Sequence, residues 1–162
     1  MSYSEFKNTE RNWSNLTEKG NLLYQQGEHN AALQFYQQAL FFSESMIRNV
    51  EDAENLNIQI ASPFFVSCLN IANNYWIIGD LKKAGEYFFY NVWHLKMLSM
   101  RDGISPAMYQ QAIKNWEKAI LTLVDFHDKT NQPLKVDFLK DETYEMIKQT
   151  SAKLVNKQIH LN

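Results

Sequence analysis

The chain has 162 residues, 45% of them hydrophobic and 14% aromatic, with only 5 Gly and 3 Pro. That suffices for one domain with a real core and leaves too few breakers for a turn-rich all-β fold or long linkers. The net charge of −2 comes without a basic stripe or aromatic–basic alternation, so nucleic-acid binding is disfavoured.

Residues 1–11 read as a frayed polar leader. From about Trp13 to Gln26, Trp13, Leu16 and Leu23 recur at helical spacing and predict a first helix. Gly27-Glu28-His29-Asn30 breaks it, with Asn30 as the expected N-cap of a second helix from Ala31 through Ile47, reaching Val50 at most. Glu51 to Asn57 is acidic and polar and reads as a loop. A third helix opens near Pro63, a residue tolerated in a first turn, and stops at Ile78-Gly79-Asp80, where glycine can turn left-handed. Asp80 then caps a helix from about Leu81 to Met100. Arg101-Asp102-Gly103 is a stop, and Ser105-Pro106 is a start. Met108, Ala112, Trp116, Ala119, Ile120, Leu123 and Val124 share one face of the next helix, which should end by Asp128 before a loop at Lys129 to Pro133. A last helix is expected from about Val136 to Ile159, carrying Leu139, Met146, Ile147, Leu154 and Val155. The expected fold is all-α: six main helices in about three antiparallel pairs, without a sheet, forming a single domain over 1–162.

Residues 1–81 hold 4 basic and 9 acidic side chains, whereas residues 82–162 hold 12 and 9. Charges so mixed read as a solvated surface. Cys68 is the only cysteine, so no internal disulfide is possible. The start lacks the apolar stretch of a secretory signal, and no apolar run approaches the ~18 residues of a membrane span. A soluble, cytoplasmic protein is expected.

One spaced pattern occurs twice. Gly20, Leu23, Gly27, Ala32, Tyr36, Ala39 and Leu40 stand at offsets 0, 3, 7, 12, 16, 19 and 20. Ala72, Tyr75, Gly79, Ala84, Phe88, Asn91 and Val92 repeat those offsets. Small and large residues at fixed intervals are how a helical hairpin is written to stack on a copy of itself. Both copies resemble the tetratricopeptide repeat, a helix-turn-helix unit of about 34 residues. The resemblance covers roughly residues 13–46 and 65–98. It implies that Gly20 and Ala72 let paired helices approach, and that Gly27 and Gly79 turn the chain. The units stand 52 residues apart rather than about 34. The simplest account lengthens the second helix of the first unit and the first helix of the second, giving a projecting hairpin. The pair 106–159 does not hold the motif and reads as a cap. The chain also resembles short bacterial proteins of this repeat type, through Phe35-Tyr36-Gln37-Gln38-Ala39-Leu40, Asn70-Ile71-Ala72 and Gly79-Asp80. That likeness implies no activity.

The resemblance implies a concave groove lined by the first helix of each unit. Its residues would be Ser14, Thr17, Asn21, Tyr24 and Gln25, then Val66, Leu69, Asn70, Asn73, Trp76 and Ile77. An Asn amide offers donor and acceptor together, which suits a peptide backbone, so Asn21, Asn70 and Asn73 are candidates beside the reading of plain polar filler. Thr17 and Glu18 stand where a cation would clamp a terminal carboxylate, which argues against that mode. Val66, Leu69, Trp76 and Ile77 make the second part apolar, suited to a hydrophobic segment of a partner or to the protein's own C-terminal helix.

Tyr87-Phe88-Phe89-Tyr90 followed by Val92-Trp93 is the densest aromatic run. Four consecutive helical residues cover nearly the whole circumference, so the helix is either central or part of an interface. Tyr87, Phe89, Tyr90 and Trp93 are the candidate interface of a homodimer. An enzyme is not expected. Cys68 sits among apolar residues, the four His are scattered, and no metal, phosphate-loop or nucleophile motif occurs. The expected role is a non-enzymatic protein-interaction scaffold, adaptor or chaperone-like module, without cofactor or metal. It would capture a peptide or helix of a partner. The alternative is a self-assembling module with its groove filled by its own C-terminus.

Overall fold

Ser2 begins the first helix, in a stretch that the sequence reads as a leader. Its hydroxyl accepts from the Glu5 amide at 3.3 Å, and the Glu5 carboxylate accepts from the Ser2 amide at 2.6 Å. This reciprocal cap satisfies two orphan donors at the helix start. The expectation of a frayed leader is therefore corrected: α1 runs Tyr3–Gln25. Phe6 is buried on it, and Thr17 and Gly20 lie on the same face at intervals of 11 and 14 residues. The polar composition of the leader hides one apolar anchor at the right spacing.

The computed structural model describes residues 1–131. Six helices occur among them, α1 Tyr3–Gln25, α2 His29–Arg48, α3 Val50–Asn55, α4 Ala61–Ile77, α5 Leu81–Met100 and α6 Pro106–Lys129, and no strand. The chain divides into two compact units, Met1–Ala119 and Ile120–Asn162.

In the first unit α1 packs on α2, α4 on α5, and α2 on α4. The two tight turns are set by Gly27 and Gly79, with φ of 79° and 86°. Glycine reaches that region without the Cβ clash other residues meet. Asp80 caps α5 by accepting from the Lys83 amide at 3.1 Å, and the Ser105 hydroxyl caps α6 through Met108 at 3.2 Å. Both caps agree with the sequence. The cap of α2 does not: the helix begins at His29, Glu28 occupies the cap without a side-chain bond, and Asn30 lies inside the helix.

The spacing of 52 residues has a different origin from the one expected. α2 stops at Arg48, Asn49 leaves helical geometry (φ −104°, ψ 41°), and the stretch expected as a loop forms the short α3. Asn57 then turns left-handed at φ 55°. Val50, Ala53, Ile58 and Ile60 are buried, so the extra residues fold down onto the core instead of extending a hairpin. Burying those aliphatic side chains is worth roughly 1.5–3 kcal/mol for each large one, which a projecting helix would forgo. α4 lies deepest, with ten of its seventeen residues buried, among them Phe64, Cys68 and Ile71. The second unit's described residues complete α6, where Ile120, Leu123 and Phe126 are buried and Lys129 pairs with Asp125 at 2.8 Å. The helix expected over Val136–Ile159, and with it the second half of the pair 106–159, lies outside the described residues.

Candidate functional site

α4 is held on two sides within the first unit. On one side the Trp13 indole N–H of α1 donates to the Ser67 hydroxyl at 2.8 Å. Ser67 in turn donates to the Pro63 carbonyl at 2.9 Å, and Ser43 Oγ of α2 lies 3.2 Å from it. Three helices thus meet at one buried hydroxyl pair. On the other side the Asn115 amide of α6 donates to the Ser62 hydroxyl at 3.2 Å, and Lys118 lies 5.9 Å from the Phe65 ring centre. Between these contacts runs the stripe Val66, Asn70, Asn73 and Ile77, spaced four, three and four residues apart and so on one helical face. Val66, Asn70 and Asn73 are half-buried, while Ile77 is exposed.

The candidate residues separate as follows. Asn70 Nδ2 is buried and has no hydrogen-bond partner among the described residues, and the same holds for Thr17 Oγ1 of α1. Trp76 is half-buried with its ring edge-on to Phe88, the centroids 6.3 Å apart. On α1, Asn21 is exposed, and its carbonyl oxygen accepts from the Tyr36 hydroxyl at 2.9 Å, which fixes the amide's orientation. Tyr24 is half-buried, its ring edge-on to His29 at 5.1 Å, and Gln25 is exposed. A neighbour that the sequence did not single out, Asn74, is fully buried and donates to the His29 carbonyl at 2.9 Å. It ties the end of α4 to the start of α2.

The four aromatic candidates of α5 split into two pairs. Tyr87 stacks on Tyr75, with centroids 5.7 Å apart and planes 20° from parallel. Tyr90 donates to Glu44 at 2.7 Å and lies 4.2 Å from the His94 ring, which also meets Phe64 at 5.4 Å. Burial pushes the Tyr90 hydroxyl well above the usual tyrosine range, and its bond to the anionic Glu44 pushes the same way. Burial also holds His94 below the usual histidine range. Phe89 and Trp93 are exposed, and Met97 and Met100 continue their row. The two methionines were not singled out from the sequence, although the interval of four from Trp93 to Met97 was there to read.

Burial raises the Cys68 thiol far above its ordinary value, which keeps it from forming the nucleophilic thiolate. Among the described residues no group of three or more His, Cys, Asp or Glu is placed to hold a metal ion, and no helix is long and apolar enough to cross a membrane.

A family model described as "Protein of unknown function (DUF2753)" matches residues 11–156. No curated protein and no solved structure matches the chain. The chain belongs to the DUF2753 family.

Proposed function

We propose that this member of the family is a non-enzymatic scaffold of tetratricopeptide-like helical hairpins that captures an apolar peptide or helix of a partner protein along α4. The observation that supports the reading is the stripe Val66, Asn70, Asn73 and Ile77, half-buried at its first three residues and exposed at the last, on the helix that α1 and α6 flank. Its order, apolar at both ends with two amides between, suits an extended or helical segment. Val66 and Ile77 offer apolar contact, and the two Asn amides between them offer donor and acceptor to a backbone. Asn70 Nδ2, without a partner among the described residues, gains one if a ligand carbonyl or a bound water reaches it. The likeness of the two repeat units supports the same reading. Each pair carries its glycine turn and its buried aromatic at the same offsets.

The test is selection from a displayed library of 12-residue peptides against the intact chain, followed by affinity measurement of the selected sequences. The expected binders are apolar-rich. Asn73→Ala and Ile77→Glu should each weaken them at least tenfold, about 1.4 kcal/mol, with helix content unchanged. Binders indifferent to both substitutions, or an absence of selected sequences, would sink the groove reading.

A further inference from the structure

Toward its C-terminal end α5 turns leucine inward and methionine outward. Leu95 and Leu98 are buried, whereas Met97 and Met100 are 49% and 47% exposed. Methionine commonly fills irregular gaps in a core, but side chains this exposed fill none. Together with His94 the two methionines line a cleft of about 390 Å³, which Ile47 and Arg101 also border. His94, Met97 and Met100 stand at successive intervals of three residues on the helix. Residues so spaced are neighbours on a helix surface, with Cβ atoms about 5–6 Å apart. Met97 is the central member, one turn from each of the others. One cleft thus gathers an imidazole and two thioethers.

We propose that His94, Met97 and Met100 form a binding site for a soft monovalent metal ion of the Cu(I) class. Thioether sulfur is a soft donor that selects Cu(I), whereas zinc, calcium and magnesium are held by thiolate, imidazole, carboxylate and carbonyl groups. One imidazole is too poor a set for those harder ions, and among the described residues no His, Cys, Asp or Glu joins it in a group of three. The donors divide the work of holding an ion. The His94 ring lies 4.2 Å from that of Tyr90 and 5.4 Å from that of Phe64, centre to centre, so its neighbours hold it in place. Each methionine turns about three bonds and brings its sulfur to the ion. The Arg101 charge beside the site is countered, since the guanidinium pairs with Glu51 at 2.8 Å and Asp102 lines the same cleft. Binding is ligand exchange alone: the ion trades water for protein donors and its oxidation state does not change. The chain's one thiol, Cys68, is buried on α4 and belongs to the core. The site lies on α5, so it stands or falls independently of peptide capture along α4.

The test titrates Ag(I), a soft monovalent ion that air does not oxidise, into the full chain with isotope-labelled methionine methyl groups, followed by nuclear magnetic resonance in chloride-free buffer. Of the 6 methionines, Met97 and Met100 should shift and saturate at one equivalent, with the other signals unmoved. Met97→Leu and Met100→Leu remove a sulfur at nearly constant volume, so they assign the two signals and should each weaken Ag(I) at least tenfold, Met97→Leu the more. His94→Phe keeps a ring against Tyr90 and Phe64 and should weaken it at least tenfold as well. Cys68→Ala removes the thiol and should leave the affinity unchanged; if that variant does not fold, the methyl shifts and the leucine variants decide. Cu(I), titrated without oxygen against a competing chelator, should rank the variants in the same order, and Zn(II) should move neither methyl signal. Still signals at Met97 and Met100 overturn the proposal. So does an affinity that ignores the leucine exchanges or vanishes in Cys68→Ala. A shift that saturates only at many equivalents overturns it too, because separate exposed thioethers would take up the ion in that way.

Discussion

The first helical pair, α1 with α2, and the second, α4 with α5, share seven positions at the same offsets and finish with different surfaces. In the first, Gly20 lies so close to Tyr36 that an added Cβ would sit 2.5 Å from the ring's Cε1. The Tyr36 hydroxyl then reaches Asn21 on the neighbouring helix. In the second, Ala72 and Phe88 take the same two positions, both buried, and no hydroxyl is present to engage Asn73. Asn91 replaces Ala39 and donates instead to the Phe65 carbonyl at 3.1 Å. The shared spacings govern how two helices close on each other. The residues at other positions are free to differ, and the stripe of α4 and the apolar row of α5 are both built from those residues.

The widest test of that separation lies within α5. Phe88 is buried and belongs to the shared spacing, whereas Trp93 is half-exposed and does not. Phe88→Ala should cost about 3–5 kcal/mol in urea unfolding, the sum of lost burial and the cavity left behind. Trp93→Ala should stay within about 1 kcal/mol. Equal losses would mean that the two faces of α5 are not distinct. Next in size is Gly20→Ala. The new methyl must displace the Tyr36 ring, and overpacking of this kind costs about 1–3 kcal/mol. The second pair already carries that methyl at Ala72. A Gly20→Ala variant as stable as wild type would show that the two pairs have interchangeable contacts.

Much of this was legible because close packing leaves a mark on residue size. Of the residues at the shared offsets, Gly20, Ala32, Tyr36, Ala39 and Leu40 are buried in the first pair, as are Ala72, Tyr75, Ala84, Phe88, Asn91 and Val92 in the second. Both glycine turns adopt the positive φ that their residue type announces. The bounds of α5 were readable from Asp80 and Gly103, since a cap and a breaker act locally. What escaped depended on tertiary context. α3 is only six residues of mostly polar type, and its place is set by the burial of Val50 and Ala53. The sense of the aromatic run escaped for a related reason. Tyr87, Phe89, Tyr90 and Trp93 have similar chemistry, and only the position of Tyr75 and Glu44 decides which of them turn inward. For the candidate groove, the sequence grouped Asn70 and Asn73 with Asn21, but not the bond that occupies Asn21.

Smaller than the glycine effect is that of Asn74, which bridges the two pairs through the His29 carbonyl. Asn74→Ala should cost about 1 kcal/mol, since one hydrogen bond is lost while the helical carbonyl keeps its own partner. Combined with Gly20→Ala, the loss should match the sum of the two single losses within about 0.5 kcal/mol if the pairs are independent at these sites. A strongly non-additive double variant would show the pairs closing as one unit.

The smallest predicted effect distinguishes the pairs by a single oxygen. Tyr36→Phe makes the first pair resemble the second, removing the hydroxyl that donates to Asn21, at a cost of about 0.5–1.5 kcal/mol near neutral pH. Burial pushes the Tyr36 hydroxyl from its ordinary value near 10 up to about 12, with the nearby Tyr24 acting in the same direction. Because the folded-state value is raised, the neutral form is favoured in the fold. Its stabilising contribution is complete below about pH 10 and is lost as pH climbs through about 12. Phe88, at the same offset in the second pair, has nothing to ionise. Stability measured by urea unfolding at pH 8 and again between pH 10 and 12 should therefore fall less steeply in Tyr36→Phe than in wild type. The remaining slope belongs to the other raised groups, Tyr87, Tyr90 and Cys68. Identical alkaline slopes in the two proteins would show that the Tyr36 hydroxyl is as well solvated in the fold as in the open chain, and the tyrosine–asparagine link between α1 and α2 would lose its standing as the feature that sets the first pair apart.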